Sequence, residues 1–334
     1  MNAIGRPTRP QFLAALAAGA AATAIGRPAR AADTVNIINT GSNDSLALQA
    51  LIKNKRYFDA VGIGDNTQNV SDGVKLMAAI LTGQADVSIL TGFSQIFPAI
   101  ENGAQIKLLG GAVLPSNFVM YTGNPAIKSV KDLAGKTIGT GAVGALVYIA
   151  AAALLKRYGV DPATVTFVNI GSSSDVFRAV AAKKIDAGPA QHEFTRLAGQ
   201  LGVRGIATFA TDLPLFTQQG AFTTDRVIAE KRDVLVRTLA AYGKAYRYVD
   251  SPGSKADYLQ AFADAVGPGT AEQAEDLWTW FQQYKAYDAA LVLTPERVAY
   301  MQQVNVDLGI QKSVLPFEKV ADMSIARDAL KLMR

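Results

Sequence analysis

Side chains able to do covalent or redox chemistry are scarce in this 334-residue chain. Cysteine is absent, so thiol nucleophiles, disulfides, zinc–thiolate sites and iron–sulfur clusters are excluded. The one histidine, His192, excludes a multi-histidine metal centre. A Ser-His-Asp triad would have to use it, and nothing else in the sequence supports one. Gly139-Thr140-Gly141-Ala142-Val143-Gly144 is a G-x-G-x-x-G between a strand pattern and a helix pattern. A dinucleotide site also needs an acid at the end of the next strand. That strand ends in Asn169-Ile170-Gly171, and Asp161 precedes it. A glycine turn opening a helix still offers backbone N–H groups to an anion or a carbonyl oxygen. The phosphate-loop pattern is incomplete at Gly135-Lys136-Thr137, and Gly92-Phe93-Ser94-Gln95-Ile96 lacks the second glycine of a nucleophile elbow.

The remaining polar residues collect where strand patterns end and helix patterns begin. The clusters are Thr40-Gly41-Ser42-Asn43, Asn66-Thr67-Gln68, Thr91-Gly92-Phe93-Ser94, Gly141–Gly144 and Ser172-Ser173-Ser174. Many of these hydroxyls must cap helices. In open parallel sheets the same edge is where ligands bind. His192 and Glu193 follow another strand; each also suits a helix start, where an acid is favoured by the dipole.

The elements that must position these clusters alternate from 34 to about 210. Strands are expected at Thr34–Asn39, Val61–Gly64, Asp86–Leu90, Ile106–Gly110, Phe118–Tyr121, Lys136–Gly139, Val165–Val168, Ile185–Ala187 and Gly205–Thr208, with helices over about 44–56 and 72–82 and between the later strands. Such alternation implies right-handed crossovers and mostly parallel sheet. An echo at an offset of 100 residues (Thr40-Gly41 with Thr140-Gly141, Asp86 with Asp186) favours two lobes of like topology. From about 225 only helices follow, broken at Ser251-Pro252-Gly253 and Gly267-Pro268-Gly269. They return to the first lobe, through uncharged crossing segments at 117–122 and 218–224.

The formal charge of +5 is misleading. Arg6, Arg9, Arg27 and Arg30 lie in the first 32 residues, which hold no acid, and the remainder is close to neutral. No surplus is left to bind phosphate backbones, so a nucleic-acid partner is not expected. Residues 1–31 read as a signal peptide: a positive start, an apolar run from Phe12 to Ile25, and Ala29-Arg30-Ala31 as cleavage site. Thr8-Arg9-Pro10-Gln11-Phe12-Leu13 has proline where a twin-arginine signal has its second arginine, so the export route stays open. The uncharged stretch between Lys136 and Lys156 is a strand, a turn and a buried helix rather than a membrane span.

Three stretches resemble a known family. Asp132-Leu133-Ala134-Gly135-Lys136-Thr137-Ile138-Gly139 is similar to the "DLxGKxIG" that opens the second lobe of periplasmic solute-binding proteins. Leu154 to Pro162 resembles the "LLKxxGLDP" that follows, and Ala179–Asp186 the strand entry after it. The likeness is to the nitrate/sulfonate/taurine and thiamine-precursor group of ABC-importer binding proteins. It implies an α/β, type II periplasmic-binding-protein-like fold, two parallel or mixed-sheet lobes joined by two crossing segments. Lobe one would be 33–118 and 223–334, and lobe two 119–222. It implies a periplasmic, non-enzymatic monomer that closes on a small solute (sulfonate, carboxylate or pyrimidine-like) and delivers it to an ABC permease, with no cofactor and no metal. By that resemblance Thr40, Ser42, Asn43, Gly92 and Phe93 line lobe one. Gly141, Ala142, Val143, Gly144, Ala145, Ser172, Ser173, Gln191 and His192 line lobe two. The start of the helix at 141–145 would hold the most electron-rich end of a monoanion or neutral heterocycle. Gly188-Pro189 departs from the family's apolar pair. The alternatives are a dinucleotide-binding reductase and a ligand sensor without a transporter.

Overall fold

The computed structural model describes residues 33–71 and 73–333. The expected signal peptide lies outside them. In chain order the elements are β1 (Asp33–Thr40), α1 (Asn43–Asn54), β2 (Ile63–Val70), α2 (Gly73–Thr82), α3 (Ile96–Glu101), β3 (Ile106–Gly111), β4 (Phe118–Thr122), β5 (Thr137–Thr140), α4 (Leu146–Arg157), β6 (Thr166–Asn169), α5 (Ser173–Ala181), β7 (Ala187–Gln191), α6 (Thr195–Gln200), β8 (Arg204–Thr208), α7 (Phe209–Asp212), β9 (Gly220–Thr224), α8 (Asp225–Val249), α9 (Lys255–Val266), α10 (Ala271–Tyr284), α11 (Pro295–Asp307), α12 (Phe317–Val320) and α13 (Ser324–Leu332).

Two β systems result. In the first, β1 and β2 pair in parallel, and β3 and β9 pair antiparallel. Single bridges from Val87 to Ile37 and from Ser88 to Phe222 join the two pairs. The second is a five-stranded mixed sheet in the order β6-β5-β7-β4-β8. There β5 runs parallel to β6 and β7, while β4 is antiparallel to β7 and β8. The mostly parallel sheet expected from the alternation is thus mixed, because β4 is entered from a crossing segment and not through a helix. Helices α8, α9 and α10 return to the first system and bury Tyr242, Tyr246, Tyr258, Phe262, Trp280 and Phe281 in one core with Leu48, Leu51 and Ile52 of α1.

Three strand expectations need correction, the first being Ile185–Ala187, whose strand forms later as β7 and takes in Gln191. The polar Asn66-Thr67-Gln68 cluster does not follow a short strand; it lies within β2. That strand is a sheet edge in register with β1, so it needs no apolar face, and Asn66 and Thr67 bond to Asn36 and Asp65. The segment Asp86–Leu90 forms bridges and not a full strand.

The 100-residue echo has a physical basis. Asp86 accepts the backbone N–H of Asn36 at 2.9 Å, and Asp186 that of Thr137 at 3.0 Å, each fixing the start of a neighbouring strand. The carbonyl oxygens of the same two residues accept the hydroxyls of Thr223 and Thr122. Asp86 also holds Lys231 at 2.8 Å, where α8 kinks. Asp86→Ala would leave a half-buried N–H and an ammonium without their acceptor. The expected cost is roughly 1–3 kcal/mol of stability, read from the urea midpoint at unchanged m-value.

The crossing segments are tied by side-chain amides. Ser116 Oγ donates to Gln218 Oε1 at 2.7 Å, and Gln218 Nε2 donates to Asn117 Oδ1 at 2.9 Å. All three residues are buried. The carbonyl of Asn117 accepts the N–H of His192, so this ladder ends at one of the expected site residues.

Candidate functional site

The structure brings several of the expected residues together across the two β systems. Asn43, in the first turn of α1, donates from Nδ2 to Glu193 Oε1 at 2.7 Å. Glu193 sits in the 3-10 turn His192–Phe194 that follows β7. Gly92 faces the start of α4 so closely that a Cβ built on it would lie 2.6 Å from Leu146 Cβ. Arg196 of α6 reaches Asp276 of α10 at 2.6 Å and Glu272 at 3.5 Å. These contacts link the two β systems and the C-terminal helices.

Other expected residues serve their own lobe. Thr40 donates to the carbonyl of Leu90 and accepts from Thr91, holding the end of β1 to the neighbouring segment. Ser42 pairs with Ser45. Ser173 donates to Gln191 Oε1 at 2.7 Å. Phe93 is a core residue: its ring packs edge-on to Phe97 and covers Gly220. Ser172 caps α5, accepting the N–H of Asp175 while the Asp175 carboxylate returns to the Ser172 N–H. This capping box satisfies two helix-start donors. Ser172→Ala should therefore lower stability by about 1 kcal/mol and leave solute affinity unchanged, which denaturation and calorimetry on one sample would show.

The glycine-rich turn behaves as a turn. Gly144 has φ +84°, a left-handed conformation that disfavours side chains, and Ala145 closes back onto the Ala142 carbonyl. Gly141 is buried beside the carbonyl of Gly171, whereas Val143 points outward and is 76% exposed. Gly188 is needed for packing: a Cβ there would meet Val176 at 2.3 Å and the Gly139 carbonyl at 3.0 Å. That accounts for the glycine at 188, because α5 presses directly on this point of β7; nothing in the structure explains Pro189.

The most heavily buried acids at the junction, Asp44 and Glu193, are not among the expected site residues. Asp44 is 2% exposed and Glu193 1%. Burial, then the charge of Asp44, pushes the Glu193 carboxyl up to about 8, against the bond from Asn43. Burial also raises Asp44, against bonds that include one from Gln219. His192 is lowered by burial, with Asp276 acting the other way. Gln219, on the second crossing segment, donates to Asp44 Oδ2 at 3.1 Å and to Ser45 Oγ at 3.2 Å. Tyr258 and Tyr287 come from the C-terminal helical region and feel the Asp44 charge. Sequence reasoning read Glu193 only as a helix-start acid. The available signal is the aromatic density between Tyr258 and Tyr287, which the fold places in one core with α1. Among the described residues no group of His, Asp and Glu is arranged to hold a metal ion, and no helix is long and apolar enough to cross a membrane.

Two α/β lobes joined by paired crossing segments, with their strand-end loops opposed, are the architecture of the periplasmic binding proteins. The chain belongs to the NMT1/THI5-like family, whose model matches residues 49–253. None of the curated proteins compared matches it. Among solved structures it is similar to the ligand-binding component of an ABC-type import system from Staphylococcus aureus, solved with zinc bound (TM-score 0.71, 12% identity, 89% of this chain and 99% of that one). It is also similar to the alkanesulfonate-binding protein SsuA from Xanthomonas axonopodis pv. citri bound to MOPS (0.68, 17%, 89% and 99%). A third is the periplasmic nitrate-binding protein NrtA from Synechocystis PCC 6803 (0.71, 12%, 89% and 88%). At these identities the likeness is one of fold.

Proposed function

We propose that this chain is the solute-capturing component of an ABC importer, carried out of the cytoplasm by residues 1–31 and working as a periplasmic monomer. Lobe one (33–118 and 223–334) and lobe two (119–222) part to admit a small molecule and close on it without transforming it. A solute that touches both lobes favours the closed form by its differential affinity for that form. The closed protein then docks on a membrane permease. Thr40, Ser42, Asn43 and Gly92 border the solute from lobe one, and Gly141 to Ala145, Ser173, Gln191 and His192 from lobe two. The observation that carries this reading is the direct opposition of the two rims, with Asn43 on Glu193 and Gly92 against Leu146.

The test is a thermal-shift screen of the chain from Asp33 with sulfonates, carboxylates, nitrate, pyrimidines and NAD(H). A true solute raises the melting temperature with its concentration, shrinks the radius of gyration in solution scattering, and is recovered unchanged. Recovery of a chemically altered compound, or tight binding of NAD(H) alone, would overturn the proposal.

A further inference from the structure

At the junction of α1, the turn after β7 and the second crossing segment, four buried oxygens lack a hydrogen-bond partner. They are Asp44 Oδ1, Glu193 Oε2, Gln219 Oε1 and the Tyr258 hydroxyl. Their residues are 2%, 1%, 3% and 0% exposed. They belong to one place. Asn43, next to Asp44, holds the other Glu193 oxygen, and the Gln219 amide nitrogen holds the other Asp44 oxygen. The Tyr258 hydroxyl lies in the field of both carboxylates. Buried acceptors left unpaired are costly, and native proteins pair them with protein, water or ligand. Three of the four can only accept when the acids are ionised. A proton on Glu193 can supply one donor while the site is empty; a solute that displaces it must bring N–H or O–H donors of its own, and an anionic head would face two acids.

We propose that the solute presents a nitrogen cation with at least two N–H donors, an amidinium or an alkylammonium, to Asp44 and Glu193 as the lobes close. Asp44, Gln219 and Tyr258 receive it from lobe one, and Glu193 from lobe two. The rings of Tyr258, Phe281 and Tyr287 form a continuous wall beside it, with centroids 5.8 Å and 4.6 Å apart. Aromatic faces favour a desolvated cation. The space is made by parting the lobes, since the Asn43–Glu193 bond spans the junction in the closed form. This inference rests on the solute-capture reading and narrows it to a class.

Proton linkage gives the class a signature. Glu193 faces Asn43 and Asp44 of α1, Tyr258 of α9, Tyr121 of β4 and, beyond His192 and Arg196, Asp276 of α10. With the two β systems in contact, burial and then the Asp44 charge raise its carboxyl to about 8. A cation placed on it favours the ionised form, so binding releases a proton and tightens as pH rises toward 8.

The experiment titrates the chain from Asp33 with benzamidine, butylamine, ethanesulfonate and nitrate, by calorimetry in two buffers of different ionisation enthalpy. Expected are binding of at least one of the two cations, proton release, and loss of affinity of about tenfold or more in Glu193→Gln and in Asp44→Asn. The two cations separate a flat amidinium from a tetrahedral ammonium head. Melting curves and circular dichroism confirm that both variants fold, and the proton count is read on the unsubstituted chain in any case. Binding of ethanesulfonate or nitrate, equally tight in Glu193→Gln, overturns the cationic class and leaves solute capture standing. A chain that binds none of the four overturns this inference; solute capture is then decided separately by the wider screen.

Discussion

Gly92→Val should weaken solute binding by roughly 5- to 150-fold while leaving each lobe folded. A Cβ at Gly92 would lie 2.6 Å from Leu146 Cβ and 2.9 Å from its Cδ2. The nearer atom is attached to the backbone of α4, so rotating the leucine cannot relieve the contact; the helix must move. Gly92 has no left-handed φ to lose, and its carbonyl keeps the bond from Gln95. The penalty therefore falls on closure. Overpacking a close contact costs about 1–3 kcal/mol. Borne only by the closed form, that cost passes directly into the dissociation constant. Calorimetry gives the affinity, and scattering should show the variant staying extended at solute concentrations that compact the parent. A variant that compacts and binds like the parent would show that the two lobes do not meet at Gly92.

The second large effect is on the empty protein. Its lobes should part as pH rises from about 5 to 9. Burial and the Asp44 charge raise the Glu193 carboxyl to about 8 where the two β systems meet, and parting them should return it toward the ordinary glutamate range near 4.3. A carboxyl raised in the closed form favours closure fully below the lower value, and that contribution is lost as pH climbs through the higher one. The difference corresponds to at most about 5 kcal/mol. Asp44, also raised, titrates with it as a pair. The radius of gyration of the solute-free protein should grow over this interval, and Glu193→Gln should flatten the change. A radius that is constant or shrinks with pH would remove Glu193 from control of closure.

Much of this architecture was legible in the residues because apolar periodicity and start signals agreed. The long helix expected over 225–250 is α8, capped by Thr224 on the Val227 N–H, and the strand at Thr34–Asn39 is β1. Edge pairing is less legible. Asn66-Thr67-Gln68 reads as a loop because its β structure depends on β1 and not on its own pattern. At the candidate site the hydroxyl and amide rims were readable, since strand ends announce themselves. Asp44 and Glu193 were not. A buried carboxylate in a first helical turn has the same sequence context as a solvated one, and its partners lie 150 to 175 positions away.

The pairing of β3 with β9 has a further consequence, for the order of assembly. All strands of the five-stranded sheet lie between residues 118 and 208, whereas β3 waits for a partner that begins at Gly220. In chain order, every residue of the inserted sheet precedes the edge and the covering helices that the first half needs. Wherever the chain folds, the β3 edge stays unpaired until Gly220–Thr224 joins it, and an unpaired strand edge is a template for wrong pairing.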